Sequence, residues 1–229
     1  MIAMPGPQRR DSHPGTPYRA ARDGFTLIEL LVVLAIVAIL AALSAPVISS
    51  IQSSFGLETA AQQVSAQLDT ARQYALTTSH PVQVRFYNLP DTTNPAVSAY
   101  RGMQCFVEGD NAVTPIGKPY FFPTPIVVVQ ATSNGTDISS LLTTGYSGIK
   151  TGNPPDTVNP LPPTFGTSYT YAYFHYRTNG QTDLSTTKSV NSLLTLAQGN
   201  APKQGNALPA NYVTLQLNSI TGIVSMYRP

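Results

Sequence analysis

A single carboxylate stands directly before the most apolar stretch of this 229-residue chain. Glu29 precedes an uninterrupted apolar run from Leu30 to Leu43. An unpaired charge in apolar surroundings costs much free energy, so a carboxylate at such a place is expected to meet a cation. The chemistry that this residue indicates is ion pairing.

The histidines and the cysteine have no arrangement typical of an active or metal-binding site. His13, His80 and His175 lie far apart in the sequence, and no Cys-His cluster has metal-ligand spacing. The stretch from Gly145 to Ile149 lacks the second glycine of a nucleophile elbow. We predict no enzyme activity, no cofactor and no metal. We expect His175 to be a half-buried strand residue and the single cysteine, Cys105, to be a small core residue.

The charge distribution argues against a nucleic-acid-binding body. Only 10% of the residues are charged, against about 25% in a typical soluble domain. The net charge of +2 arises within the first 23 residues, and from Gly24 onward nine basic residues balance nine acidic ones. Nucleic-acid binding needs a concentrated basic face. A polar, uncharged surface instead favours a protein of an assembly or of a compartment outside the cytoplasm.

The first 45 residues are compatible with three kinds of targeting segment. The apolar helix predicted from Phe25 to Leu43 is about 28 Å long, close to the ~30 Å hydrocarbon core of a bilayer. A secretory signal peptide would be cut near Ser44, but Glu29 interrupts the approach to its apolar region. A plain transmembrane anchor accounts for the length and leaves Glu29 without a role.

The third kind of targeting segment accounts for both the apolar length and Glu29. The stretch "GFTLIE", from Gly24 to Glu29, resembles the type III signal of type IV pilins and pseudopilins. The resemblance implies that prepilin peptidase cuts after Gly24 and N-methylates the new first residue, Phe25. Glu29 then holds the fifth mature position, where the family has its glutamate. Pro46 falls where many members have a helix-kinking proline.

This resemblance gives Glu29 a partner. After cleavage, Phe25 carries a free ammonium group, and Glu29 lies roughly 6 Å further along the helix. The ammonium of a neighbouring subunit could neutralise Glu29 inside an apolar bundle, which would set the axial register during assembly.

Four segments follow from the sequence pattern. They are a cleaved leader at 1–24, a transmembrane or filament-core helix at 25–45, an amphipathic helix at 46–80 and a β-rich head at 81–229. Spacings of three and four predict the buried face of the amphipathic helix, whose members are Leu57, Ala61, Val64, Leu68, Ala71, Ala75 and Leu76. Ser79 to Pro81 is expected to end the helix, and Pro46 and Gly56 to bend it.

The head is predicted to be built from strands. Alternation and β-branched or aromatic content predict strands at 82–87, 103–107, 126–130, 168–176, 212–217 and 223–227. Turns are expected at Asn179–Gly180 and Thr221–Gly222. A proline-rich loop at about 148–166 is predicted to contain no regular structure. The fold class is α+β, with a pilin-like helix packed on an antiparallel sheet.

Three further stretches indicate which pilin-like proteins the chain resembles more specifically. Gln67 to Tyr87 is similar to the helix end and first strand of H-type minor pseudopilins and FimT-like minor pilins. Phe174 to Gln181 and Thr221 to Tyr227 resemble their late segment and closing strand. The overall pattern is also similar to the D-type proteins of the Verru_Chthon cassette.

The resemblance implies a structural subunit of a type IV pilus-like or type II secretion filament. Its expected partners are prepilin peptidase, other pilin subunits bound through the N-terminal helix, and the bacterial inner membrane, with the head in the periplasm. Two alternatives stay open. One is a FimT-like DNA-binding minor pilin, although the lysines and arginines of the head are scattered, and the other is a Sec-secreted soluble adhesin or enzyme.

Overall fold

The computed structural model describes residues 25–91, 97–110, 112–130, 139–143, 147–152, 161–165, 169–187, 189–199, 209 and 211–228. The chain divides into two compact units, Met1–Pro46 and Val47–Pro229. The predicted leader at 1–24 lies outside the described residues.

One helix, α1, extends from Leu27 to Thr78. Its end is as predicted, because Ser79 takes a left-handed φ of 57° and Pro81 follows two residues later. The helix continues through Pro46 and Gly56. The kink at Pro46 stays a prediction. Within the described residues, no helix is long and apolar enough to cross a membrane. The boundary between filament-core and amphipathic parts near residue 45 likewise stays a prediction.

The head contains two antiparallel sheets. The first has the strand order β3-β2-β1-β6-β5 and the second β4-β7-β8-β9. The first sheet consists of β1 (Val82–Pro90), β2 (Ser98–Glu108), β3 (Val113–Phe121), β5 (Lys150–Gly152) and β6 (Thr170–Tyr176). The second consists of β4 (Ile126–Val128), β7 (Asn191–Gln198), β8 (Tyr212–Asn218) and β9 (Val224–Tyr227). The predicted α+β class is therefore confirmed.

All six predicted strands are present, and the described residues contain three further strands that were not predicted. These are β3, β5 and β7. The expectation that residues 148–166 contain no regular structure is wrong, because β5 pairs with β6 and Pro163–Phe165 forms a 3₁₀-helix. The residues 153–160 and 166 of this loop lie outside the described part of the chain.

The larger of two apolar clusters among the described residues joins the helix to both sheets. Leu57, Val64 and Leu68 of α1 are buried, and the same cluster includes Phe86 and Phe174 of the first sheet together with residues of the second sheet. Alanines at 60, 61, 71 and 75 on this face are fully buried. Leu76, however, is 41% exposed, so its assignment to the buried face was wrong. It lies beside the Asn179–Gly180 turn, close to Gly180.

The far side of the first sheet is covered as well. Tyr87, Leu89, Leu161 and Tyr169 form a second buried cluster. Phe165 stacks on Phe121 of β3 with ring centroids 4.7 Å apart. The end of the proline-rich loop is thus packed on the sheet rather than extended into solvent.

Two serines complete the edge of β7 beyond the short strand β4. The hydroxyl of Ser140 accepts a hydrogen bond from the Leu193 N–H at 2.9 Å, and that of Ser139 accepts one from the Thr195 N–H at 3.0 Å. Both serines are buried. Side chains therefore satisfy backbone donors that a neighbouring strand would otherwise satisfy.

Candidate functional site

The N-terminal end of α1 is organised by Thr26 and Glu29. Phe25 and Thr26 precede the first helical residue, Leu27. The Thr26 hydroxyl accepts a hydrogen bond from the Glu29 N–H at 3.3 Å, and the Thr26 carbonyl oxygen accepts one from the Leu30 N–H at 3.2 Å. Thr26 and Glu29 thus have the spacing of a capping box, in which a threonine caps a helix three residues before a glutamate.

The apolar side chains that follow are open to solvent. Every large apolar side chain from Phe25 to Leu40 is exposed, Phe25 by 78%. The Glu29 side chain is exposed too, and no ion pair among the described residues involves it. An exposed apolar surface of this extent marks a contact with another protein or with a membrane.

The sequence of this segment matches a known motif. A family model of the prokaryotic N-terminal methylation motif matches residues 19–45. The match supports a type IV pilin-like prepilin that prepilin peptidase processes and that assembles with other pilins. Such a motif implies anchoring in a membrane before assembly, and the pilin-like proteins that carry it are structural subunits. No curated protein and no solved structure matches the chain.

Of the residues predicted for processing and assembly, the structure describes Phe25 and Glu29 but not Gly24. Gly24, the residue before the expected cut, lies outside the described residues. Phe25 is described, exposed and outside the helix, so its backbone nitrogen is not held in the helical ladder. Glu29 lies in the first turn of α1. The cut, the methylation and the assembly role of Glu29 stay predictions for this chain.

In the head, a polar cluster lies on the face of the first sheet that points away from α1. His175 on β6 is half-buried, as predicted. Its Nδ1 lies 2.8 Å from Oδ2 of Asp183, and its Nε2 lies 3.1 Å from Oε1 of Glu108. Lys150 on β5 donates to Asp183 Oδ2 at 3.0 Å. Two carboxylates therefore flank one imidazole.

Asp183 is hydrogen-bonded to the backbone of His175 at two places. Its Oδ1 accepts the backbone N–H of His175 at 2.7 Å, and its own N–H donates to the His175 carbonyl oxygen at 3.0 Å. Burial alone would raise the pKa of Asp183, but hydrogen bonds from His175 and Lys150 hold that pKa below its usual range. The hydrogen bond to Asp183 raises the pKa of Lys150. Asp183 is therefore ionised at neutral pH.

Gln83 and Arg85 on β1 support the cluster from the middle of the sheet. The guanidinium carbon of Arg85 lies 4.1 Å from the ring centroid of Phe106 and 4.8 Å from that of Tyr171. Arg85 Nε–H donates to Gln83 Oε1. The Gln83 amide nitrogen consequently faces His175 Nε2 at 3.1 Å and Glu108 Oε1 at 3.2 Å.

Sequence analysis missed the cluster, because its residues come from distant parts of the chain. Glu108 is 67 residues from His175 and Gln83 is 92 residues from it. The strand order places β1 between β2 and β6, and only that order brings the side chains together. No group of histidine, cysteine and carboxylate side chains among the described residues has the geometry to hold a metal ion.

Proposed function

We propose that this chain is a minor pilin or pseudopilin, a structural subunit of a type IV pilus-like or type II secretion filament. The observation that carries the proposal is the match of residues 19–45 to the N-terminal methylation motif. In this proposal, prepilin peptidase cuts after Gly24 and methylates Phe25 while the chain is held in the bacterial inner membrane. The head then lies in the periplasm until the subunit enters the filament.

The N-terminal and C-terminal parts of α1 differ in burial, which supports different roles for them. The large apolar side chains from Phe25 to Leu40 are exposed, whereas apolar residues between Leu57 and Ala75 form a stripe that is buried in the head. Burial of apolar area stabilises by about 25 cal/mol per Å², so the exposed part gains free energy only in a bilayer or among other apolar helices. We assign that part to contacts with neighbouring subunits.

In this proposal, Glu29 pairs with the ammonium of a neighbouring Phe25. Its exposed carboxylate stands in the first helical turn beside an apolar surface, where burial without a cation would be unfavourable. Pairing would favour one axial register of neighbouring helices over others. The capping hydrogen bond from the Glu29 backbone to Thr26 leaves the carboxylate available for this contact.

The head supports a structural subunit better than the DNA-binding alternative. Lys150 is paired with Asp183 and Arg228 with Glu58. Lys118 is exposed on β3, and Lys188 and Lys203 lie outside the described residues. Paired and scattered cations do not form the continuous basic face that binds phosphates.

The first experiment determines the mature N-terminus. The full chain is produced with a prepilin peptidase, and the N-terminal peptide is analysed by mass spectrometry. N-methylated Phe25 is the expected first residue. Gly24→Leu should block cleavage, while Gly15→Leu, a matched change within the leader, should not. A chain that begins near Ala45 would instead establish a Sec-secreted protein, and an uncut wild-type chain would contradict the proposal.

The second experiment tests the role of Glu29. Glu29→Gln should still be cut and methylated, but its incorporation into filaments should fall at least tenfold, because the partner ammonium would lose its counter-charge. Glu58→Gln, at the other glutamate of α1, is the matched control and should assemble normally. Normal incorporation of Glu29→Gln would refute the pairing role and leave the processing proposal standing.

A further inference from the structure

The ring of His175 is held differently at its two nitrogens. On one side, Nδ1 lies 2.8 Å from Asp183 Oδ2, and Asp183 also accepts the His175 backbone N–H. A carboxylate only accepts hydrogen bonds, so Nδ1 keeps its proton in both the charged and the neutral imidazole. Asp183 therefore fixes which nitrogen loses its proton when the ring becomes neutral.

On the other side, Nε2 has two competing neighbours. Glu108 Oε1 and Gln83 Nε2 each lie 3.1 Å away. The charged ring carries a proton on Nε2 and donates it to Glu108, since it cannot accept a hydrogen bond from the Gln83 amide. The neutral ring has a lone pair at Nε2, which accepts from Gln83 and faces the Glu108 carboxylate unfavourably.

The surroundings hold Gln83 ready for this exchange. Arg85 occupies the Gln83 carbonyl oxygen, so the Gln83 amide nitrogen must face His175 and Glu108. Glu108 can leave, because its side chain is 35% exposed. The charged or titratable groups around the ring are Glu108 on β2, Arg85 on β1, Lys150 on β5, Tyr173 on β6 and Asp183 after β6.

We propose that His175 is a proton-operated switch in the head. The charged ring bridges Glu108 and Asp183 and thereby ties the end of β2 to the segment after β6. The neutral ring gives up its hydrogen bond to Glu108 and accepts one from Gln83, which leaves Glu108 beside the Gln83 amide and removes one positive charge from this corner. The electrostatic surface that the head presents to a partner thus depends on the pH around it. This inference does not depend on the proposed filament role.

The first test observes the ring directly. The full chain is labelled with ¹⁵N in the histidine ring and kept in detergent micelles, and its imidazole nitrogens are followed by NMR between pH 5 and 8.5. Both nitrogens of His175 should carry protons when the ring is charged, and Nδ1 alone should do so when the ring is neutral. A neutral ring protonated on Nε2, or a ring that never changes its protonation, would overturn the switch.

The second test measures the coupling between His175 and Glu108. His175→Gln, Glu108→Gln and the double variant are unfolded in urea at both pH values and compared with the wild type. At pH 5 the combined effect on the unfolding equilibrium constant should depart from the product of the single effects by about fivefold. At pH 8.5 this coupling should disappear or reverse in sign.

The glutamate Glu58 of α1 provides the control. It pairs with Arg228, and His175→Gln combined with Glu58→Gln should show no coupling at either pH. Equal coupling of His175 and Glu108 at the two pH values, or none at pH 5, would refute the proposal.

Discussion

The ring of Tyr171 on β6 lies directly over the backbone of Gly152 on β5. The two residues are paired in the sheet, and a β-carbon at position 152 would collide with that ring. The absence of a side chain at Gly152 is therefore what allows Tyr171 to fold back over the edge strand. Tyr171 in turn covers the guanidinium of Arg85.

Gly152→Ala should consequently destabilise the protein. Overpacking of this kind costs roughly 1–3 kcal/mol, because Tyr171 must move or β5 must separate from β6. The matched control is Gly56→Ala on α1, where no atom lies within 4 Å of an added β-carbon. Replacing a helical glycine there should stabilise by up to ~1 kcal/mol. Urea unfolding followed by tyrosine circular dichroism measures both, and equal effects would contradict the assignment of Tyr171.

Leu68 and Leu76 should respond very differently to truncation. Leu68 is 1% exposed and Leu76 is 41% exposed. Leu68→Ala should therefore lower the free energy of unfolding by ~2–5 kcal/mol, while Leu76→Ala should lower it by less than about 1 kcal/mol. Denaturation curves of the two variants provide the comparison. A loss at Leu76 as large as that at Leu68 would mean that the helix is buried on a different face.

Cys105 should be unreactive in the folded protein. It is buried, and desolvation raises the pKa of its thiol to about 12, so almost none of it is thiolate at pH 8. A thiol reagent should label it only after urea is added. Ser98→Cys, at an exposed position of β2, is the positive control and should be labelled at once in the native state. Fast labelling of wild-type Cys105 would contradict its burial beside α1, where its Sγ lies 3.9 Å from the Gln67 carbonyl oxygen.

Asp183 should make stability depend on pH in the acid range. Because its pKa is lowered in the fold, its contribution is full above the unfolded value of about 3.9 and is lost as the pH falls through the folded value. Asp183→Asn should cost roughly 1–3 kcal/mol at pH 7 and should flatten the decline of stability below pH 4. Asp110→Asn, which removes an exposed carboxylate, controls for the change in net charge.

Periodicity predicted much of this fold because local pattern and burial agree there. The apolar residues between Leu57 and Ala75 recur with helical spacing and are buried on one face of α1. In β1, the inward residues Val82, Val84 and Phe86 alternate with polar ones. The strand β3 was not predicted, because Pro115, Gly117 and Pro119 lie within it and interrupt the alternation that is typical of a strand. These residues are tolerated because β3 is an edge strand.

The remaining strands and the polar cluster depend on neighbours that are distant in the sequence. The strand β5 has only three residues and owes its extended form to pairing with β6. Gln83 and Arg85 are the polar residues in the alternating pattern of β1, a pattern typical of a strand with one exposed face, yet both are buried. Their cover comes from side chains of the adjoining strands, Phe106 and Tyr171, which no local pattern identifies.

The serines that complete β7 also limit how the head can grow. A foreign strand that approached this edge would find the N–H groups of Leu193 and Thr195 already bonded to Ser140 and Ser139. It would have to break these two hydrogen bonds, one of them buried, before forming its own. The head is thereby protected at this edge against lateral β-aggregation, even at high local concentration.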